Sequence, residues 1–494
     1  MGKSPSGEAI PPGRGDKAVA MEAPLVVDLD GTLLRSDLLV ETGLLFARDH
    51  PRQLLSPFRW LARGRAALKH ELARRADLDV AALPYDENVI AFIREARAGG
   101  RRVTLATASH QTLAGRIADH LGLFDEVLAS RPDVNLKGEV KRDALLERYG
   151  EQGFDYLGNA GDDLPVWRAA RKTLVANAAA RLERKARALG NFAGVVSSRR
   201  ARFGDWARAL RLHQWLKNLL IFVPLLTAHR YLEAPLLLQA LLAFFCFGLC
   251  ASSVYLLNDL LDLRDDRHHA RKRHRPFASG RLSPLSGLAV FPVLLLCAFG
   301  IATWRLPGAF ALGMLAYYGL TLAYSMRLKR LWVVDVVALA ALYTLRIIIG
   351  AVALGIPLSF WLLAFSVFIF LSLALVKRYA ELLPIMRAGG EDGKARGRGY
   401  HADDLPMIAS LGTASGYMSV IVLALYVNDP VTLEHYRHPE FIWCSCLPLL
   451  IWISRVWFLA HRGQMHEDPV VFAVSDRVSL AIVALMGLAF WVAI

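Results

Sequence analysis

From about residue 213 to the C-terminus the chain carries one long apolar run after another, and no such run occurs before that point. A membrane-spanning helix needs about 20 mostly apolar residues. Nine spans are predicted, at roughly 216–231, 235–257, 285–304, 308–324, 332–353, 358–376, 406–428, 441–460 and 476–494, the first being the weakest signal. Runs such as 235–257 are too long and too apolar for buried helices of a water-soluble domain. The first 212 residues instead mix charge with short apolar stretches and read as a soluble domain.

Composition excludes several classes. With 54% hydrophobic residues the chain is neither disordered nor fibrous. Its five cysteines all lie in apolar stretches without metal-ligand spacing, so neither a disulfide scaffold nor a thiolate metal site is expected. The net charge of +14 divides equally between residues 1–212 and 213–494, which argues against one nucleic-acid-binding face. A homo-oligomer is compatible with such a chain.

Loop charge sets an expected orientation. Arg264, Arg267, Arg271, Lys272, Arg273, Arg275 and Arg281 follow the second span. Arg327, Lys329 and Arg330 follow the fourth. Lys377, Arg378, Arg387, Lys394, Arg396 and Arg398 follow the sixth, and Arg462 the eighth. The intervening loops hold little beyond Arg230, Arg305 and Arg437. The positive-inside rule puts the basic loops and the soluble half in the cytoplasm of a multi-pass plasma (inner) membrane protein, with the C-terminus outside. Residues 1–20, rich in Gly, Pro, Ser and charge, are expected to be disordered and are not a cleavable signal peptide. Residues 191–212 are expected to link the halves. There Arg199, Arg200, Arg202, Arg208 and Arg211 alternate with Phe203, Trp206, Leu210 and Leu212, as in a basic amphipathic helix on an anionic leaflet or a solvated linker helix.

In the soluble half a short apolar strand, 23–27, runs directly into Asp28-Leu29-Asp30-Gly31-Thr32. Two carboxylates one residue apart at a strand end suit covalent phosphoryl chemistry. The first attacks phosphorus; the second protonates the leaving oxygen and then activates water. This run resembles the first motif of the haloacid dehalogenase superfamily. The later motifs follow in order: Thr107 at a strand end, Lys141 with Lys137 as its rival, and Gly158-Asn159-Ala160-Gly161-Asp162-Asp163. The resemblance, over about 22–190, implies a Rossmann-like α/β phosphatase domain (21–190) with a helical cap at about 38–90. It also implies a phosphate-holding Thr107, a neutralising Lys141, and Mg²⁺ held by Asp28, Asp30, Asn159, Asp162 and Asp163. The family has Asp immediately after the motif's glycine. Here Asn159 offers a carbonyl oxygen and no charge. A catalytically silent, regulatory scaffold is the competing expectation for this domain.

In the apolar half the second span runs into Asn258-Asp259-Leu260-Leu261-Asp262-Leu263-Arg264-Asp265-Asp266. Asp259, Asp262 and Asp266 fall at i, i+3 and i+7, one face if the helix continues. Carboxylates crowded at a span's end suit Mg²⁺ carrying a diphosphate better than a solvated helix end. The pattern resembles the first motif of the UbiA superfamily of intramembrane prenyltransferases, over about 206–494, and implies an all-α domain (213–494). The second motif of that superfamily has two aspartates four apart. After Tyr324-Ser325-Met326-Arg327-Leu328-Lys329 this chain offers only Asp335. Asp335 and Arg346 lie inside a predicted span, where ionisable groups are costly and usually functional. Pairing of the two is the structural alternative.

Further motifs are Gln214-Trp215-Leu216-Lys217-Asn218, Lys272-Arg273-His274-Arg275-Pro276, Lys377-Arg378-Tyr379-Ala380-Glu381-Leu382, Arg462-Gly463, Glu467-Asp468-Pro469 and Asp476-Arg477. Together they resemble the decaprenyl-phosphate phosphoribosyltransferase branch, whose members supply precursors of arabinose-containing cell walls. That resemblance implies phosphoribosyl pyrophosphate as donor and decaprenyl phosphate as acceptor. Mg²⁺–diphosphate would be held by Asn258, Asp259, Asp262 and Asp266, with Asp262 essential to catalysis. Asp335 would hold a second metal or the ribose hydroxyls. Lys217, Asn218, Arg273, Arg275, Tyr324, Lys329, Arg346, Lys377 and Arg378 would contact substrate. The soluble domain would then remove the ribose 5-phosphate. Two other readings compete. One is a prenyltransferase moving a polyprenyl group from its diphosphate to an aromatic or other small acceptor. The other is a transporter or lipid-binding protein regulated by its soluble domain.

Overall fold

The computed structural model describes residues 22–198, 201–387, 399–427, 436–465 and 468–493. The expected disordered segment 1–20, and Arg199, Arg200, Lys394, Arg396, Arg398 and Glu467 of the motifs above, lie outside the described residues. The chain forms two compact units. One comprises residues up to Ala201 with Arg264–His274 and Ala278–Pro284; the other comprises Arg202–Leu263, Arg275–Phe277 and Leu285–Ile494.

The first unit is built on six strands: β1 (Leu25–Val27), β2 (Val103–His110), β3 (Glu126–Ser130), β4 (Asp155–Gly158), β5 (Lys172–Ala176) and β6 (Phe192–Ser197). They pair in parallel in the order β3-β2-β1-β4-β5-β6. Continuous apolar strands suit a sheet covered on both faces. Successive side chains of β1 alternate between those faces: Leu25 and Val27 join one apolar cluster with Leu105 and Leu157, and Val26 joins the other with Ala106, Tyr156 and Trp167. The chain leaves β1 for β2 on one side and returns to β4 on the other. The carboxyl end of β1 is therefore a topological switch point, where α/β sheets bind ligands. β6 occupies the first residues of the segment expected as linker, so the sheet runs to Ser197 and only the short helix Phe203–Ala209 remains of the amphipathic stretch. Helices Leu38–Asp49, Ser56–Ala62 and Arg65–Arg75 form the insert after β1.

By its contacts, Arg264–His274 belongs to this unit, although the sequence places it in the membrane half. Arg267 donates through Nη2 to Oε1 of Glu41 at 2.6 Å and through Nη1 to Oε2 at 3.0 Å, and both side chains are buried. Removing one partner of such a pair leaves an uncompensated buried charge. Arg267→Met is therefore expected to lower stability by about 3 kcal/mol, whereas the exposed Arg271→Met is expected to stay within about 0.5 kcal/mol. Thermal unfolding of the full-length protein in detergent checks both.

The second unit is helical. Among the described residues seven helices are long and apolar enough to cross a membrane: Ala234–Leu261, Pro284–Arg305, Gly308–Met326, Val334–Leu354, Phe360–Arg387, Ala402–Tyr426 and Pro439–His461. The pair Pro469–Ser475 and Arg477–Ala493, bent by 75°, makes up to eight. The chain is a multi-pass membrane protein, and the first expected span, 216–231, is not among these helices. Those residues form 3₁₀ turns over Leu212–Phe222 and a short helix, Val223–Thr227. The reason is polar: Lys217 and Asn218 turn inward and are buried, and Trp215 Nε1 donates to Ser252 Oγ at 2.9 Å. Backbone approach holds the segment in place. A Cβ on Gly350 would overlap the Ile221 carbonyl. Small residues pack the other helices closely too, with Gly412 against Trp457 and Gly416 against Ile453.

Candidate active sites

In the first unit β1 delivers Asp28 between β2 and β4, and its amide donates to the Leu157 carbonyl at 2.9 Å. Lys141 Nζ lies 2.7 Å from Asp28 Oδ1, and Thr32 Oγ1 donates to Oδ2 at 3.3 Å. Burial pushes the Asp28 carboxyl up to about 6, with Lys141 opposing it. Gly31, with φ of +77°, turns the chain sharply behind the motif. Asp30 then receives the Leu38 amide on Oδ1 at 2.8 Å and Ser109 Oγ on Oδ2 at 2.6 Å. Burial, with the charge of Asp37 adding, pushes Asp30 up to about 7. A carboxyl that still holds its proton near neutrality can deliver it to a leaving oxygen, and its ionised form can then take one from water. Thr107 is fully buried, its hydroxyl accepting from the Ser109 amide at 3.0 Å.

Between the two lysines the structure favours Lys141 as the site residue. Lys137 pairs at the surface with Asp162 at 2.9 Å. Burial works against the Lys141 ammonium, but Asp28 and Asp163 outweigh it and raise its pKa. Asp163 is spent differently from expectation: its Oδ2 receives the amides of Asn159 (2.9 Å) and Ala160 (2.8 Å), and its Oδ1 the Tyr156 hydroxyl (2.7 Å). It shapes the turn, and Asp162 faces solvent beside Lys137. Among the described residues no three His, Cys, Asp or Glu side chains converge as a metal-holding group. Asn159 fits a cation better than the other motif residues. Its side chain lies against Gly31, and its Oδ1 is a buried acceptor with no hydrogen-bond partner. Gly31→Ala would push a Cβ into the Asn159 amide at a left-handed φ. Any phosphate release by this unit is expected to fall at least about 10-fold, a displacement effect of the kind that misplaced catalytic groups produce, with the circular dichroism of the protein unchanged.

Sequence reasoning missed two residues here. Tyr156, on β4, bridges Lys141 and Asp163. Lys69, from the helical insert, donates to the Ala108 carbonyl and to Asn135 Oδ1. Tyr156 is hidden from sequence because an aromatic on a buried strand reads as core.

In the second unit the helix Ala234–Leu261 ends one residue before Asp262, which caps it, and a separate helix, Leu263–His268, follows. The three aspartates are therefore not on one continuous helical face. Asp266 is buried in a segment that belongs to the first unit. Asp259 is buried near the helix end, where its Oδ1 receives Arg211 Nη2 at 2.5 Å and Arg275 Nη1 at 3.1 Å. Lys329 Nζ stands 3.7 Å from Asp262 Oδ2. Asn258 is half-buried in the helix's last turn; Arg273 is exposed, within the first unit's share of the loop. Arg211 carries a left-handed φ of +51°, uncommon for a residue with a side chain.

Asp335 is fully buried and, among the described residues, pairs with Arg378 rather than with Arg346, with the Tyr324 hydroxyl donating to Oδ1 at 2.8 Å. Arg378 also pairs with Glu381. Arg346 donates to Asn218 Oδ1 at 3.2 Å and to the Tyr317 hydroxyl at 2.9 Å. Lys217 and Lys377 converge on one oxygen of Asp468, each at 2.8 Å, and the Tyr343 hydroxyl is 3.1 Å from the other. Asp468 was visible in the sequence as part of a motif but not as a site residue. Its signal was its place before Pro469: Asp at an N-cap and Pro at the first helical position mark a helix start.

The model of the UbiA prenyltransferase family matches residues 219–480, more than half of the chain. The chain belongs to the UbiA prenyltransferase family. Residues 25–153 of this UbiA protein also match the haloacid dehalogenase-like hydrolases, so a hydrolase-like domain precedes the UbiA unit. An uncharacterized protein of Sinorhizobium fredii, y4nM, is 41% identical over 94% of this chain and 90% of its own. The nodulation protein NoeC of Azorhizobium caulinodans is 40% identical over 58% of this chain and 92% of its own. A decaprenyl-phosphate phosphoribosyltransferase of Mycobacterium tuberculosis is 39% identical over 57% of this chain and 93% of its own. NoeC and the mycobacterial protein thus align with little more than half of the chain. The y4nM protein matches nearly its whole length, which indicates that the two-unit arrangement is not peculiar to this UbiA protein.

Proposed function

We propose that the UbiA unit transfers a 5-phosphoribosyl group from phosphoribosyl pyrophosphate to a polyprenyl phosphate such as decaprenyl phosphate, releasing diphosphate, and that the hydrolase-like unit removes the 5-phosphate of the product. The observation that carries this reading is the basic setting of the helix-end aspartates: Asp259 between Arg211 and Arg275, and Asp262 beside Lys329. Such a site suits a soluble polyphosphate donor, and the similarity to the mycobacterial transferase supports the same choice. The single buried Asp335, held by Arg378, leaves little for the paired-aspartate chemistry of a prenyl diphosphate donor. Two aspartates among cations suit Mg²⁺ that arrives with its phosphates rather than one caged by protein. When bound, Mg²⁺ supplies neutralisation of the departing diphosphate. A lipid phosphate oxygen bonds to the anomeric carbon as the carbon–oxygen bond to diphosphate breaks. That oxygen is already anionic, so the chain supplies position and charge rather than a general base.

In the other unit Asp28 attacks phosphorus and Asp30 protonates the departing ribose oxygen, then activates the water that frees Asp28. Both active sites face the cytoplasm of the plasma membrane in this reading, and tethering raises the local concentration of the first product for the second step. The test combines purified full-length protein, Mg²⁺, phosphoribosyl pyrophosphate and decaprenyl phosphate, with mass spectrometry of the extracted lipid. A Mg²⁺-dependent ribosyl lipid supports the reading. Failure to form one, with geranylgeranyl diphosphate and 4-hydroxybenzoate giving product instead, overturns it.

A further inference from the structure

The insert after β1 presents an apolar face to solvent, edged by arginines. Residues 50–70 contain no Asp or Glu, whereas Arg52, Arg59, Arg63, Arg65 and Lys69 are basic. Pro51 and Pro57 open the short helical turns Pro51–Gln53 and Ser56–Ala62, and Gly64, with φ of +113°, turns the chain into Arg65–Arg75. Leu54, Phe58 and Leu61 fall at i, i+4 and i+7, and Leu55 lies one turn before Phe58, so the four share a face. They are 51%, 69%, 46% and, for Leu55, 76% exposed. Trp60 points the other way: its ring lies 5.1 Å from that of Phe46, and Arg75 stacks over it at 4.7 Å. No residue of Ser56–Ala62 is buried, so the apolar face contributes little to the core. A contiguous exposed apolar group of this kind marks an interaction surface. Its charge is one-sided. Arg59 and Arg63 join Arg75 around a cleft of about 330 Å³. Arg75 pairs with Glu71, but Arg52, Arg59 and Arg63 make no ion pair among the described residues.

Two chemistries are offered together, and an anionic lipid leaflet meets both. Its head-group phosphates suit the guanidinium groups, and its acyl boundary takes the Leu and Phe side chains. A second copy of the chain fits less well, because a two-fold interface would set the same arginines against each other. The chain crosses a membrane, so a bilayer surface lies within tether reach of this unit. We infer that the face of Leu54, Leu55, Phe58 and Leu61, with Arg59 and Arg63 at its edge, docks the hydrolase-like unit on an anionic bilayer surface. The same insert touches the phosphatase-like site, since Lys69 donates to the Ala108 carbonyl beside Thr107. A unit docked through this insert meets lipid-borne phosphate at the leaflet rather than in bulk solution. The docking itself does not rest on the transfer reaction.

Hydrogen–deuterium exchange of the full-length protein, one copy per nanodisc, tests this without requiring turnover. In discs of phosphatidylglycerol the amides of residues 54–62 are expected to exchange at least about 10-fold more slowly than in discs of phosphatidylcholine, since each arginine near an anionic surface favours docking about 5-fold. Amides of Glu87–Ala98, in the same unit, are expected to exchange alike in both. Salt at about 0.5 M should remove most of the difference. Leu55→Ser combined with Phe58→Ser is expected to abolish the protection. Arg59→Gln combined with Arg63→Gln is expected to remove its dependence on lipid charge. All four side chains are exposed, so neither pair should move the melting temperature, and each keeps the test open if the other misfolds. Equal exchange of residues 54–62 in the two discs, or protection that survives both double variants, overturns the proposal. Protection in detergent that grows with protein concentration assigns the face to a second copy and also overturns it. Lipid-dependent protection in a protein that forms no ribosyl lipid and releases no phosphate retains the docking while refuting the reactions proposed above.

Discussion

Asp262→Ala protein, folded and given donor, lipid phosphate and saturating Mg²⁺, is expected to form ribosyl lipid at least about 10³-fold more slowly than wild type, with kcat falling more than KM rises. The size follows from what departs in the reaction. Neutralising a leaving diphosphate contributes several kcal/mol, realised as the bond breaks. Asp262 is the better of the two helix-end aspartates to remove. Asp259 is 3% exposed and accepts from two arginines, so its truncation would take a shared acceptor from both guanidinium groups and threaten folding. Asp262 is half-buried at the helix cap, and its described ion pair, with Lys329, is long at 3.7 Å. Its loss therefore reads on chemistry with little effect on stability. Retention of activity within about 10-fold of wild type would remove Asp262 from the diphosphate site, since loss of even one transition-state donor costs about 10²-fold or more.

Much of this arrangement was legible in the sequence because it depends on local pattern. Apolar run length gave seven of the spans, and a strand that ends in Asp-x-Asp gave the first motif of the α/β unit. The misreadings have a common physical origin. Periodicity assumes that an element continues, and it put Asp259, Asp262 and Asp266 on one face; the helix stops at Asp262, and the next turn packs elsewhere. Hydropathy averages over a window, and it read 216–231 as a span. Lys217 and Asn218 are buried there by partners more than a hundred residues away, Asp468 and Arg346, which no window contains. Asp335 was correctly singled out as costly, but its partner is Arg378, 43 residues on, rather than the nearer Arg346. Charge pairing across helices is a tertiary fact, and sequence can name the charged groups without matching them.

Asp28→Asn should leave transfer intact and stop the second step, so the extracted lipid retains its 5-phosphate while wild type yields the dephosphorylated ribosyl lipid. A loss of at least about 10⁴-fold in phosphate release is expected, since a carboxylate nucleophile has no substitute once its charge is gone. Asparagine keeps the shape and can still accept from Thr32, but the ion pair with Lys141 disappears. That ammonium is then left with Tyr156 at 2.9 Å and Asp163 at 3.7 Å, enough to hold it in place and too little to restore reactivity. The comparison with Asp30→Asn separates roles. Asp30 sits near its own titration midpoint at neutral pH, so losing it removes the proton donor while the nucleophile remains. Asp30→Asn is expected to slow release by about 10²–10³-fold on the ribosyl lipid, and by less on p-nitrophenyl phosphate, whose leaving oxygen needs no proton. Equal loss on both substrates would assign Asp30 to structure instead. Wild-type protein that leaves the 5-phosphate untouched would mean that Asn159, with its uncharged oxygen, does not hold the cation this chemistry requires, and that the α/β unit is a scaffold whose buried carboxylates no longer turn over.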